Sequence, residues 1–139
     1  MSIQTISDVE FGDELDVFTP DSSIANTAAF AKCVKYSGNG RFDDHDKARA
    51  QGLPGALVPG IMGMAFLNSV IHKWCPVARV VKIDTVFRAP MLADTTLSIG
   101  AVVTDIDEET GIVEIDLTVK NDAGETRVMG TANVRVPVS

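Results

Sequence analysis

A long, almost wholly apolar segment sits in the middle of this chain, and everything after it reads as strand. From Ile61 to Trp74, the residues Ile61, Met64, Ala65, Leu67, Val70, Ile71 and Trp74 fall on overlapping helical faces, which predicts a central helix covered nearly all round. Its few polar residues are Asn68, Ser69, His72 and Lys73, and Cys75-Pro76 ends it because proline cannot continue a helix. Downstream, residues 79–88, 95–104, 112–120 and 126–138 are rich in Val, Ile and Thr. The run Val113-Glu114-Ile115-Asp116-Leu117-Thr118-Val119-Lys120 alternates apolar with polar, the pattern of a sheet with one wet face. Turns at 107–111 and 121–124, each closing on glycine, make successive strands hairpin neighbours. The expected class is therefore α+β, one antiparallel sheet wrapped around one long helix.

Before the central segment the signals are shorter. Residues 15–18 read as a strand after the Gly12-Asp13 turn. Pro20-Asp21-Ser22 opens a helix, with Asp21 or Ser22 as its cap. Ile24, Ala28, Ala31, Val34 and Lys35 carry it to about Tyr36, and Ser37-Gly38-Asn39-Gly40 stops it. A second, short helix follows Asp43-Asp44, capped by Asp44 and closed near Gly52. Small and turn residues from Gly52 to Gly60 then lead into the central helix. With no repeat, linker or low-complexity tract, the 139 residues are expected to form one domain, 1–139, around one core.

Composition narrows the function classes. Nineteen acidic against 12 basic residues leave a formal charge of −7, which argues against nucleic acid as a partner. A local basic cluster could still hold an anionic carrier. No apolar run reaches the roughly 18 residues of a membrane span. Residues 1–16 are polar and acidic with no apolar h-region, so no signal peptide is expected, and the cytoplasm is the expected setting. Two cysteines, Cys33 and Cys75, lack any metal-ligand spacing and are expected to be reduced, so no metal is expected.

The stretch from Tyr36 to Met62 resembles the signature region of the MaoC-like (R)-specific enoyl-CoA hydratases and dehydratases. Those proteins carry a loop of the form S-G-D-x-N-P-x-H-x-D, a short helix ending in small residues, and a loop into H-G or P-G. The corresponding residues here are Ser37-Gly38-Asn39-Gly40-Arg41-Phe42-Asp43-Asp44, then Lys47-Ala48-Arg49-Ala50-Gln51-Gly52-Leu53-Pro54-Gly55, then Val58-Pro59-Gly60-Ile61-Met62. Further on, Val86-Phe87-Arg88-Ala89-Pro90 and Ala93-Asp94-Thr95 are similar to the family's F-R-x-P strand and G-D-x-L corner. The resemblance implies a hotdog fold and reversible hydration of an enoyl thioester. Coenzyme A or an acyl-carrier protein would carry the substrate, with no further cofactor. The partner would be a second hotdog chain, in a homodimer or heterodimer.

Hydration needs a base for water, a proton donor to Cα, and donors for the enolate oxygen. The resemblance assigns the proton work to an Asp and a His of the loop, and the oxyanion to backbone N–H groups at the helix start. In a gapless register those two positions hold Ser37 and Phe42, while Asn39 keeps the family Asn and Gly60 the helix start. Asp43 and His45 are the candidates for a rearranged catalytic pair. The alternative is that Asp44 caps the short helix with His45 exposed in its first turn. Asn39, Pro59, Gly60, Ile61 and Arg88 are the expected substrate-binding residues. His72, Asn68 and Arg41 are candidates with ordinary structural explanations. Three readings follow: a hydratase or dehydratase with a rearranged site; an inactive subunit paired with an active partner; and, ranked last, a hotdog thioesterase. The last would need a carboxylate on the central helix, and residues 61–74 hold none.

Overall fold

The computed structural model describes residues 2–139; Met1, where the signal-peptide reading begins, lies outside them. Three helices precede four strands: α1 (Ile24–Cys33), α2 (His45–Ala50), α3 (Gly60–Trp74), β1 (Arg79–Phe87), β2 (Ser98–Asp107), β3 (Ile112–Lys120) and β4 (Thr126–Arg135), with one 3-10 turn at Ile6–Asp8. The strands form one antiparallel sheet in the order β1-β4-β3-β2. One antiparallel sheet packed on one long helix is the architecture the sequence predicts.

Register explains the core. Ile99 pairs with Val119, and Val119 with Val128, so one buried apolar row crosses three strands. Ile115 opposite Ala132 and Val113 opposite Val134 repeat it four and six residues on. Against these rows α3 buries Met62, Gly63, Phe66, Leu67, Val70 and Ile71. Burying each large side chain stabilises the fold by about 1.5–3 kcal/mol relative to exposure.

Several boundaries differ from the sequence reading. Ser23, not Asp21 or Ser22, caps α1 by accepting from the Asn26 N–H; Ser22 instead donates its hydroxyl to the Thr95 carbonyl. Helix α1 also stops at Cys33 rather than near Tyr36, because Lys35 is left-handed (φ 63°) and the Tyr36 N–H turns back to the Ala31 carbonyl. The strand expected at 15–18 is reduced to isolated bridges, Glu14 to Val102 and Phe18 to Ile99, that cover the outer edge of β2. Strand β2 begins three residues late because Asp94 is left-handed (φ 64°) and the Thr95 hydroxyl folds back to the Leu92 carbonyl. Finally, α3 is not covered all round. Ile61, Ala65, His72 and Lys73 are exposed, since the sheet wraps only one side of the helix.

The short helix α2 is as expected, with Asp44 accepting from the Lys47 N–H and Gly52 left-handed (φ 89°) beyond its end. Cys33 is exposed, Cys75 is buried, and both are free thiols. Among the described residues no helix is long and apolar enough to cross a membrane.

Candidate functional site

The first residues of α3 leave backbone donors without acceptors. Pro59 is the N-cap and provides no side-chain bond. Its carbonyl accepts from the N–H groups of Met62 and Gly63. The N–H groups of Gly60 and Ile61 have no acceptor among the described residues, as the geometry of a helix start dictates. Fifteen aligned peptides behind them add a partial positive charge at this end.

Gly60, but neither Pro59 nor Ile61, lines a cleft of about 330 Å³, together with Phe42, Leu57, Val58, Phe87, Arg88, Ala89, Pro90 and Met91. Two chain segments form most of its wall, and they are joined in a short ladder. The Val58 N–H donates to the Met91 carbonyl (2.8 Å), Leu57 bridges Leu92, and the Ala93 N–H donates to the Ala56 carbonyl (2.9 Å). Glycines let the walls close on the helix: a Cβ at Gly60 would lie 3.3 Å from Cε1 and Cζ of Phe87, and one at Gly63 would lie 2.6 Å from Cε of Met91.

Arg88 is the only ionisable residue in that lining. Its backbone N–H is held by the Arg127 carbonyl, its guanidinium reaches only the Met129 sulfur (3.6 Å), and no carboxylate pairs with it among the described residues. A larger groove of about 660 Å³ lies along the other half of α3. Asp8, Glu10, Asp13, Glu14 and Asp16 line it, which suits an anionic ligand poorly.

The candidate proton-transfer residues are distributed unevenly around this cleft. Phe42 lines it, its ring 5.8 Å from that of Tyr36; Ser37 is exposed and outside the lining. Asp43 is half-buried, and its carboxylate accepts from the Gly38 N–H at 3.3 Å. Asp44 is committed to capping α2, and the Lys47 N–H it accepts, first among the causes, holds its carboxyl below the usual range. His45 is engaged at both ring nitrogens: Nδ1 accepts from the Ala56 N–H (3.0 Å) and Nε2 meets Asp94 Oδ2 (2.7 Å). It is thus neither a cleft residue nor a free first-turn residue.

The other candidates also have local partners. Asn39 accepts the Arg41 N–H with its side chain and lies outside the cleft lining. The carbonyl of exposed Arg41 accepts the Leu57 N–H. Asn68 donates to the Met64 carbonyl within its own helix. His72 lies between the carbonyls of Asn68 and Ala78 at the far end of α3. The sequence reading names Phe87 and Asp94 only within the stretches similar to the family's strand and corner, assigns neither to the site, and passes over Met91. The Gly60-x-x-Gly63 spacing at the helix start was the available signal, since it marks a close approach. Among the described residues no group of three His, Cys, Asp or Glu could hold a metal ion.

No protein-family model matches this sequence, and no curated protein matches it significantly. Solved structures do. The R-hydratase PhaJ1 from Pseudomonas aeruginosa aligns with a TM-score of 0.86 at 19% identity, over 96% of this chain and 85% of its own. The (R)-hydratase from A. caviae involved in PHA biosynthesis aligns at 0.85 and 18% identity, over 93% and 98%. A chain of the ChsH1-ChsH2 complex from Mycobacterium tuberculosis aligns at 0.82 and 19% identity, over 92% and 98%. This chain shares the hotdog fold of these structures. The hotdog helix is α3, with the apolar cleft at its start.

Proposed function

We propose that this hotdog chain binds an acyl thioester, with the thioester carbonyl on the N–H groups of Gly60 and Ile61 and the acyl group against Phe42, Phe87 and Met91. The observation that carries the reading is an unpartnered helix-start donor, Gly60, lining an apolar cleft whose one charge is Arg88, with the equally unpartnered Ile61 N–H next to it in the chain. A carbonyl oxygen gains from such donors, and more so as charge develops on it. Arg88 at the rim suits a carrier phosphate, as coenzyme A or an acyl-carrier protein would present. The reaction class is that of the hydratases and dehydratases, acting in the cytoplasm on an enoyl or 3-hydroxyacyl group.

Proton chemistry is the missing part. A transferring group must reach the reacting atom to within about 3 Å or through one water. No carboxylate or imidazole lines the cleft, and His45 has no free nitrogen. The reading best supported is therefore a thioester-binding subunit that works beside a second hotdog chain supplying the acid and base. Two of the similar structures are complexes, ChsH1-ChsH2 and the 3R-hydroxyacyl-ACP dehydratase HadBC, which supports pairing with a second chain. The second reading, a rearranged site, rests on Asp43, a half-buried carboxylate next in sequence to cleft-lining Phe42.

One experiment separates them. Crotonyl-CoA is titrated calorimetrically into the isolated chain, and its hydration is followed spectrophotometrically. Binding without turnover is the expected result. Brisk turnover that Asp43→Asn abolishes supports the rearranged site. Absence of binding, both alone and with an active hotdog partner, refutes the thioester assignment.

A further inference from the structure

His45 is not absorbed by this account, yet it is among the most connected side chains in the molecule. Its ring stands at the end of the short ladder between residues 56–58 and 91–93. On one strand it accepts the Ala56 N–H at Nδ1 (3.0 Å), and on the other it meets Asp94 Oδ2 at Nε2 (2.7 Å). The other oxygen of Asp94 accepts the Ile24 N–H (2.8 Å), which ties α1 to the same corner. A backbone N–H can only donate, so Nδ1 carries the lone pair and Nε2 carries the proton given to Asp94. Only the neutral ring in this one tautomer satisfies both strands.

The same two strands run onward into the cleft. Ala56 leads through Val58 to Gly60, and Asp94 leads back through Met91 to Arg88. We propose that His45 is a positioning residue: its neutral imidazole clips together the two segments that wall the α3 cleft, and its protonation releases the segment that ends in Gly60 and Ile61. As a thioester-positioning role, this rests on the binding reading above.

The charges around the ring decide which contact is lost. Asp94 faces it across the ladder, Arg49 shares the space beside Gly55, and Asp44, Asp46 and Lys47 lie on its own helix start. The carboxyl of Asp94 is held below its usual range, by the His45 hydrogen bond first and the Ile24 N–H second. Asp94 therefore remains an ionised acceptor for the Nε2 proton whether the ring is neutral or protonated. A protonated ring keeps Asp94 and turns a second N–H toward the Ala56 N–H. Two donors cannot bond, so the Ala56 strand gives way.

The test reads the clip with and without ligand. In the wild-type chain, ¹⁵N shifts of the His45 ring report its ionisation, and the amides of Ala56, Gly60 and Ile61 should titrate with the same midpoint. Those amides should stop titrating in His45→Ala. Amides that ignore the His45 midpoint, or that still titrate in His45→Ala, overturn the proposal; His72, the second histidine, provides the internal control.

Crotonyl-CoA affinity gives the second reading. Loss of one hydrogen-bonded contact is expected to weaken binding about five- to tenfold, in His45→Ala at neutral pH and in wild type on acidification. His45→Asn places an amide oxygen near the Nδ1 position as a permanent acceptor. It should bind within about threefold of wild type, with no pH dependence across the imidazole range. Equal losses in the Ala and Asn variants overturn the clip. Amides that track His45 in a chain that binds no crotonyl-CoA at any pH refute the thioester reading and leave the clip standing.

Discussion

Gly60→Ala tests the binding site most directly, because its effects on binding and on stability can be worked separately. The new Cβ would sit 3.3 Å from two ring carbons of Phe87, tighter than ordinary contact. Phe87 is 47% exposed, so its ring can swing outward at little cost to the fold. Alanine is also the better helix former by up to about 1 kcal/mol. Fold stability should therefore change by less than about 1 kcal/mol in either direction. Binding should not be spared, since the new methyl occupies the cleft wall beside the helix-start N–H groups and displaces the Phe87 ring that completes that wall. Each neutral hydrogen bond is worth about 0.5–1.5 kcal/mol net. Loss of both amounts to about 1–3 kcal/mol, or roughly 5- to 150-fold in Kd. Calorimetry with crotonyl-CoA beside a thermal melt separates the two effects. A Kd within about twofold of wild type, at unchanged melting temperature, would refute the role of these donors.

Two further outcomes follow from the fold. The Asp44 carboxyl is held below its usual range, chiefly by the Lys47 N–H, so its stabilisation is complete above the unfolded value of about 3.9. That share is lost as pH falls through the depressed folded value. Asp44→Asn, which keeps a capping oxygen, should show a shallower fall of melting temperature between pH 5 and pH 3, and a curve parallel to wild type would refute this share. Strand β1 pairs only with β4, leaving its other edge open beside exposed Val81, so a second hotdog chain, alike or different, is expected to pair there. Sedimentation should give a dimer or larger for wild type and a smaller species for Val81→Lys; a monomeric wild type, alone and with candidate partners, would refute edge pairing.

The division between sequence and tertiary structure is physical. Alternation with period two in 113–120 fixes which side chains share a sheet face wherever the strand lies, and its partners in β2 and β4 bury the same rows. The Asp44 cap and Gly52 stop are local backbone chemistry, so α2 was legible residue by residue. The free donors at Gly60 and Ile61 were legible for the same reason, because any helix start leaves them. What lies in front of them was not. Phe87 and Met91 reach Gly60 and Gly63 from 27 and 28 residues away, through a ladder of backbone bonds that no periodicity encodes. The late start of β2 shares that origin, since left-handed Asp94 is held by Ile24 and His45, partners that only packing supplies; the early end of α1 is local, with left-handed Lys35 and the Tyr36 N–H turned back to Ala31. His45 is the clearest case. In sequence it is one polar residue opening a short helix. Only the folded chain brings Ala56 and Asp94 to its two nitrogens, 11 and 49 residues away, and so decides which protons it can no longer transfer.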